Sequence, residues 1–234
     1  MSVPPDVEGR EAPGPMSQRI SSRKSARVRA RRGALTRDQV LAQALILLDR
    51  DGVAALSMRR LAEHLQVSPM ALYNHVADKQ DLLQGVARRI LDRMSFPIDD
   101  PDWRQRIRAC FRELRNTCLK HPGVVRLLET IDDPPLSVFR PMEITLAALK
   151  ETALDREDAV RAYFLLMNFV LGQVSYEARG PFKGLDPAET VKSGRLESTG
   201  FTHIEHAVPL ERWDFERAFE FGLSTILAGL SSNE

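Results

Sequence analysis

The chain has 234 residues, 43% of them hydrophobic, and a net charge of only +1. That length can bury a sizeable core and exceeds what one small domain needs. The composition is that of an ordinary soluble protein, which excludes a membrane-embedded one. The most apolar run, Ala159 to Val174, is interrupted by Arg161, Asn168 and Gln173 and falls short of the ~20 residues of a spanning helix.

The small net charge hides an asymmetry. Arg19, Arg23, Lys24, Arg27, Arg29, Arg31 and Arg32 fall in one acid-free run, which leaves the rest of the chain net acidic. Residues 1–33 read as a disordered basic arm, because Pro4, Pro5, Pro13 and Pro15 break any helix and Ser, Arg and Gly follow. No apolar stretch follows the positive segment, so it is not a secretory signal. A basic arm on an acidic body suits attachment to a polyanion by one end. The expected contact runs along phosphates or into a minor groove, is indifferent to sequence and is sensitive to salt.

Leu35 to Arg50 carries Val40, Leu41, Ala44, Leu45, Leu47 and Leu48 on one broad helical face. The segment from Ser57 to Lys79 then reads as two short helices joined by a tight turn, followed by a third. Ser57 is a good N-cap, and Leu61, Ala62 and Leu65 form a small apolar stripe. Arg59, Arg60, Glu63 and His64 occupy the opposite side. Gln66-Val67 is too short for a long loop. Ser68 is a second N-cap, with Pro69 at the first helical position, where its missing N–H costs nothing. Leu72 and Val76, four apart, face inward together. Met70, Ala71, Tyr73 and Asn74 stay near the exposed amino-terminal end. Asp78 caps the next helix, with Asp81 placed as in a capping box.

This is helix-turn-helix geometry. One helix enters the major groove and reads bases with its first turns. Arg59, Tyr73 and His75 suit phosphates, Asn74 suits adenine, and Met70 or Ala71 suits a thymine methyl group. Ser57 and Pro69 complete the candidate DNA-binding set. A helical hairpin with merely solvated polar faces is the plainer alternative, since such patterns are short.

The run from Leu35 to Met94 resembles the amino-terminal domain of TetR-family transcriptional regulators. The elements that carry the resemblance are Asp51-Gly52, Arg59, Ser68, Leu72-Tyr73-Asn74-His75-Val76 and Lys79. It implies DNA contacts from Arg59, Ser68, Met70, Ala71, Tyr73, Asn74, His75 and Lys79. Gln66 departs from the pattern, where the family often has Gly.

Beyond Met94 the chain continues as helices, and no alternating apolar run demands a strand. Asp102 to Lys120 places Trp103, Ile107, Cys110, Phe111, Leu114 and Cys118 at spacings of three and four. Cys110 and Cys118 lie ~12 Å apart along that helix, too far for a disulfide. Free buried thiols fit a reducing, cytoplasmic setting. His121-Pro122-Gly123 interrupts the helix, and a short one follows to Glu129. Asp132 to Pro135 is a loop, and Pro141 bends or delays a helix between Leu136 and Thr152. Asp155 caps a long helix to about Arg179. Gly180 to Pro209 reads as a long loop, and Leu210 to Leu230 as the last helix.

The last two long helices are the natural elements of a homodimer. Tyr163 to Leu171 is apolar almost all round and needs partners on several sides. The final helix adds small residues, Ala218, Gly222 and Gly229, that admit a close neighbour. Phe169, Phe215, Phe219, Gly222 and Ile226 are the interface candidates, and two-fold symmetry is what a palindromic operator requires. Phe219-Glu220-Phe221-Gly222-Leu223 and Leu227-Ala228-Gly229-Leu230 resemble the carboxyl end of tetracycline-repressor-like regulators. The resemblance implies a body that binds a small effector, tilts the helix beginning near Lys79 and changes the spacing of the recognition helices. Trp103, Phe111, Phe139, Met142, Phe164, Met167 and Asn168 are the pocket candidates, although most such aromatic and Met residues are ordinary core.

The resemblance implies that binding of tetracycline with magnesium uses a His in the loop before the helix headed by Pro141; Ile131 to Arg140 contains none, which argues against tetracycline as the effector. His203-Ile204-Glu205-His206 is weak zinc evidence, since a site needs three or four ligands; a solvated loop or lid is the better reading. No phosphate loop or nucleophile–base spacing marks an enzyme. The expectation is therefore an all-α regulator with neither metal nor cofactor. It comprises a basic arm (1–33), a helix-turn-helix domain (34–94) and an effector-binding and dimerisation domain (95–234). Its partners would be double-stranded palindromic DNA, a small effector and a second copy of itself. The rival class is a helical carrier or enzyme with a vestigial helix-turn-helix; salt-dependent binding to a palindromic duplex separates the two.

Overall fold

The structure is a computed structural model that describes residues 35–179, 193–194, 203 and 214–231. The basic arm, most of the expected loop from Gly180 to Pro209 and the expected start of the last helix lie outside the described residues. Among the described residues every regular element is helical.

Local chemistry sets the boundaries of the first four helices. Helix α1 (Arg37–Asp51) opens on a reciprocal capping box, in which Thr36 Oγ1 accepts the Gln39 N–H at 3.2 Å and Gln39 Oε1 accepts the Thr36 N–H at 3.0 Å. It stops at Gly52, whose φ of 80° suits a residue without a Cβ. After a 3-10 turn (Val53–Ala55) come α2 (Met58–Leu65), α3 (Pro69–Tyr73) and α4 (Lys79–Leu91). Ser57, Ser68 and Asp78 cap these three through the N–H of Arg60, Ala71 and Asp81.

Five further helices form the body: α5 (Trp103–Lys120), α6 (Val124–Thr130), α7 (Arg140–Leu149), α8 (Arg156–Arg179) and α9 (Phe215–Ser231). Asp102 caps α5, and Asp155 Oδ1 accepts the Asp158 N–H at the start of α8. A 3-10 turn (Leu136–Phe139) leads into α7, so Pro141 sits in the first turn, where it is tolerated. The helix expected from Leu136 is thus split.

Helix α5 is the axis of the body. Trp103, Ile107, Cys110, Phe111, Leu114 and Cys118 are all buried on it, against α7 and α8. Each fully buried large side chain contributes about 1.5–3 kcal/mol. Arg115 is the exception on this face: a charge only 4% exposed, held by Glu177 at 2.8 Å and Glu216 at 2.5 Å and lying 4.9 Å over the Phe219 ring. Its two carboxylates come from α8 and α9, so the ion cluster ties those helices to α5. The buried side chains of both halves form one continuous core.

Candidate nucleic-acid interface and effector cavity

The α2–α3 turn is built for a close crossing of two short helices. Leu61, Ala62, Leu72 and Val76 are buried beneath it. Gln66 closes α2 in the left-handed conformation, φ 57° and ψ 42°, and is the one non-glycine residue with positive φ among those described. Its N–H reaches the carbonyls of Ala62 and Glu63. Glycine takes this conformation without the steric cost of about 1–2 kcal/mol that a Cβ brings.

Above that core stands the exposed set. Ser57, Ser68, Pro69, Met70, Tyr73, Asn74 and Lys79 are exposed, and Ala71 and His75 are half-buried. Arg59 is 86% exposed and pairs along its helix with Glu63 at 2.9 Å, a weak link that a phosphate can replace. Arg60 does not join this surface, because it turns back to Asp51 at 2.8 Å and to the Ala55 carbonyl. Helix α3 is shorter than the pattern suggested: it ends at Tyr73, Asn74 is its C-cap, and His75 lies in the following turn. Asn74 therefore sits at the far end of the helix from Ser68. Five residues span only ~7.5 Å, so both ends remain within one groove's reach.

Asp81 locks the recognition turn to the rest of the unit. Its carboxylate takes two bonds from Arg37 of α1, at 2.5 and 3.0 Å, and one from the Ala77 N–H at 2.8 Å. The same guanidinium donates to the His75 carbonyl at 2.5 Å. The expected box thus closes on Ala77 rather than on the Asp78 backbone. Arg37 bonded to it holds the Asp81 carboxyl below the usual carboxylate range. Lys79 lies in this pinned first turn of α4.

In the body, a cavity of about 430 Å³ opens between α4, α5, α6, α7 and α8. Phe139, Met142, Phe164 and Met167 line it as expected from their types. Trp103, Phe111 and Asn168 do not. Trp103 and Phe111 are buried core, 7% and 0% exposed, and Asn168 faces outward. Residues that sequence reasoning missed include Thr117, Leu128, Glu129, Val138 and Tyr163. The apolar positions of α6 repeat every three and four residues, which signals a packed helix but not a cavity wall. Burial raises the Tyr163 phenol and pushes the Cys118 thiol up to about 11, so both are neutral at pH 7.

The cavity wall is mechanically joined to the reading unit. Thr130, at the end of α6, accepts a 3.5 Å bond from Gln80 of α4, one residue from Lys79. At the start of α6, a Cβ on Gly123 would lie 2.4 Å from the Leu48 side chain of α1, so any other residue there must push Leu48 aside. His121 Nδ1 and Asp49 Oδ2 meet at 2.8 Å beside it. The short helix that walls the cavity therefore touches both α1 and α4.

Comparison with known proteins agrees with this arrangement. Residues 40–86 match the family described as bacterial regulatory proteins, tetR family, and residues 96–233 match the tetracyclin repressor-like C-terminal domain. The chain belongs to the TetR family of transcriptional regulators. An HTH-type transcriptional regulator of Saccharopolyspora erythraea is 31% identical, with 85% of each chain covered. The class E tetracycline repressor of Escherichia coli is 28% identical over 85% of this chain and 92% of its own. Among solved structures, ActR of Streptomyces coelicolor in complex with actinorhodin aligns with a TM-score of 0.66 at 32% identity, covering 85% of this chain and 98% of ActR. BioQ with its double-stranded DNA operator aligns at 0.60 and 28% identity, covering 85% and 99%. This TetR-family chain is accordingly a DNA-binding transcriptional regulator with an effector-binding body.

On this regulator the outer faces of α8 and α9 differ from the expected set. Phe219 is fully buried, stacked on Phe169 at 5.7 Å and 17°. A Cβ on Gly222 would meet that Phe169 ring at 2.5 Å. Phe219 and Gly222 thus both pack against Phe169 within the protomer. Phe215 sets its ring edge-on to Tyr176 at 6.1 Å, and Ile226 is half-buried against the core. The apolar side chains left exposed here are Leu165, 51%, and Phe221, 74%, with open space at Gly172 and Gly229. Of the His203–His206 segment only His203 is described, and it is exposed; the expected loop or lid otherwise lies outside the described residues. Among the described residues no cluster could hold a metal ion and no helix could cross a membrane.

Proposed function

We propose that this regulator is a homodimeric repressor that occupies a palindromic operator and leaves it when a small molecule fills the cavity. One observation carries the reading: α6, which walls the cavity, also grips α1 and α4 of the reading unit. Expansion of the cavity displaces α6, and α4 follows through Gln80. Two half-sites one turn apart (~34 Å) tolerate little change in the spacing of the recognition helices. The effector acts because it prefers the spread arrangement.

Ser57, Arg59, Ser68, Pro69, Met70, Ala71, Tyr73, Asn74, His75 and Lys79 form the proposed DNA surface. Residues 34–94 and 95–234 are the proposed reading and effector domains, with residues 1–33 as a basic arm. The proposed role is binding rather than catalysis, which the apolar cavity and the polar helix face support. The proposed place of action is the cytoplasm, where DNA is accessible and thiols stay reduced.

The dimer is proposed to form through α8 and α9, with Leu165, Gly172 and Phe221 at the contact and Phe169, Phe215 and Ile226 supporting it from beneath. Leu165→Glu with Phe221→Glu places charges in that contact. The double variant is expected to sediment as a folded monomer and to lose the palindromic duplex while a generic polyanion still binds. A variant that stays dimeric would refute the interface.

A further inference from the structure

The charge inventory of the cavity is lopsided. Among the described residues no Lys, Arg or His side chain lines it. With Cys118 and Tyr163 neutral, the single formal charge on the wall among the described residues is the Glu129 carboxylate, 55% exposed. Three aromatic rings, Phe139, Tyr163 and Phe164, face the same space, and those of Tyr163 and Phe164 lie edge-on at 5.3 Å. Ring faces attract cations, and aromatic cages recognise ammonium groups. An anionic ligand would find no cationic partner among the described residues of the wall.

We propose that the effector of this regulator is a lipophilic monocation, an amine or ammonium on an apolar ring-sized body, with its nitrogen held by Glu129 and the surrounding rings. The inference rests on reading the cavity as the effector site. Glu129 is paired at 2.8 Å with Arg126, which is 72% exposed. A surface pair of this kind is weak, so an arriving ammonium displaces Arg126 into water at little cost. Thr130, whose carbonyl carries Gln80 of α4, is the next residue. Drawing Glu129 inward therefore moves the support on which the Lys79 end of α4 rests.

Three anthracene probes of one ring system test this: 9-(aminomethyl)anthracene, 9-anthracenemethanol and 9-anthracenecarboxylate. Each is titrated into DNA-free, full-length protein and followed by probe fluorescence. The amine is expected to bind about tenfold more tightly than the alcohol, and the carboxylate most weakly. Glu129→Gln should weaken the amine about three- to fivefold and leave the alcohol within about twofold. Met142→Trp, which fills the cavity, should weaken amine and alcohol alike. Equal affinities, a tighter carboxylate, or an amine unaffected by Glu129→Gln would overturn the cationic assignment. If the alcohol still responds to Met142→Trp, the effector cavity stands without it. If none of the probes binds, or Met142→Trp changes nothing, the cavity reading fails and the cationic effector falls with it.

Discussion

Asp81→Asn is a nearly isosteric change at the joint between α1, the recognition turn and α4. The variant keeps one acceptor oxygen, enough for the Ala77 N–H, but loses the fork of two bonds to Arg37. Hydrogen bonds to charged groups contribute about 1.5–3 kcal/mol when sheltered. Here the side chains are 44% and 32% exposed, and screening by water reduces the pair to about 1 kcal/mol. Because the Asp81 carboxyl is held below its ordinary range, this contribution is present above the unfolded value of about 3.9 and is lost as pH falls through the lower folded value. Urea unfolding should show the wild type about 1 kcal/mol more stable at pH 7, with the two curves converging toward pH 3. Operator affinity should fall by about fivefold or more, since the His75 carbonyl loses its properly oriented Arg37. Equal stability at pH 7, or a gap that stays constant into acid, would refute the reasoning.

Tyr73→Ala and Lys79→Ala should each weaken duplex binding while dimerisation survives. Lys79→Ala should also lower the salt slope by about one, as for one phosphate contact; mobility-shift titrations at several salt concentrations decide both. Asn74→Ala should change the preferred base at one position rather than general affinity, and a selection returning an unchanged motif would contradict it. Phe219→Ala should cost about 3–5 kcal/mol in denaturant unfolding, because it removes the Phe169 stack and the ring beneath Arg115. Cys110 and Cys118, with thiols pushed by burial up to about 12 and about 11, should resist iodoacetamide in the native state at pH 8 and react fully in urea.

Much of the reading unit was legible because its signals are local. Ser57, Ser68 and Asp78 announce helix starts through their own side-chain oxygens, and the buried Leu61, Leu72 and Val76 follow from spacing alone. Helix α5 was equally plain, with Trp103, Ile107, Cys110, Phe111, Leu114 and Cys118 all buried as their spacing requires. Arg115 was not, because a charge on an amphipathic helix reads as solvated until Glu177 and Glu216 arrive from distant helices. The cavity was legible only in part. Phe111 and Phe139 are the same residue type, yet one is sealed in the core and the other is 55% exposed at the cavity. Aromatic identity does not distinguish wall from core; the relative placement of helices does. Small residues pose the same difficulty. Gly222 and Gly229 both suggest a close neighbour, but Phe169 of the same protomer already fills the space at Gly222, whereas Gly229 is open.

Titration of the full-length chain against a palindromic duplex recovered by selection from random DNA tests the central claim most directly. The account predicts two chains per duplex, affinity that falls steeply with salt, and loss of binding when either half-site is scrambled. A chain that binds as a single copy, or binds scrambled and palindromic duplexes equally at low salt, would contradict it.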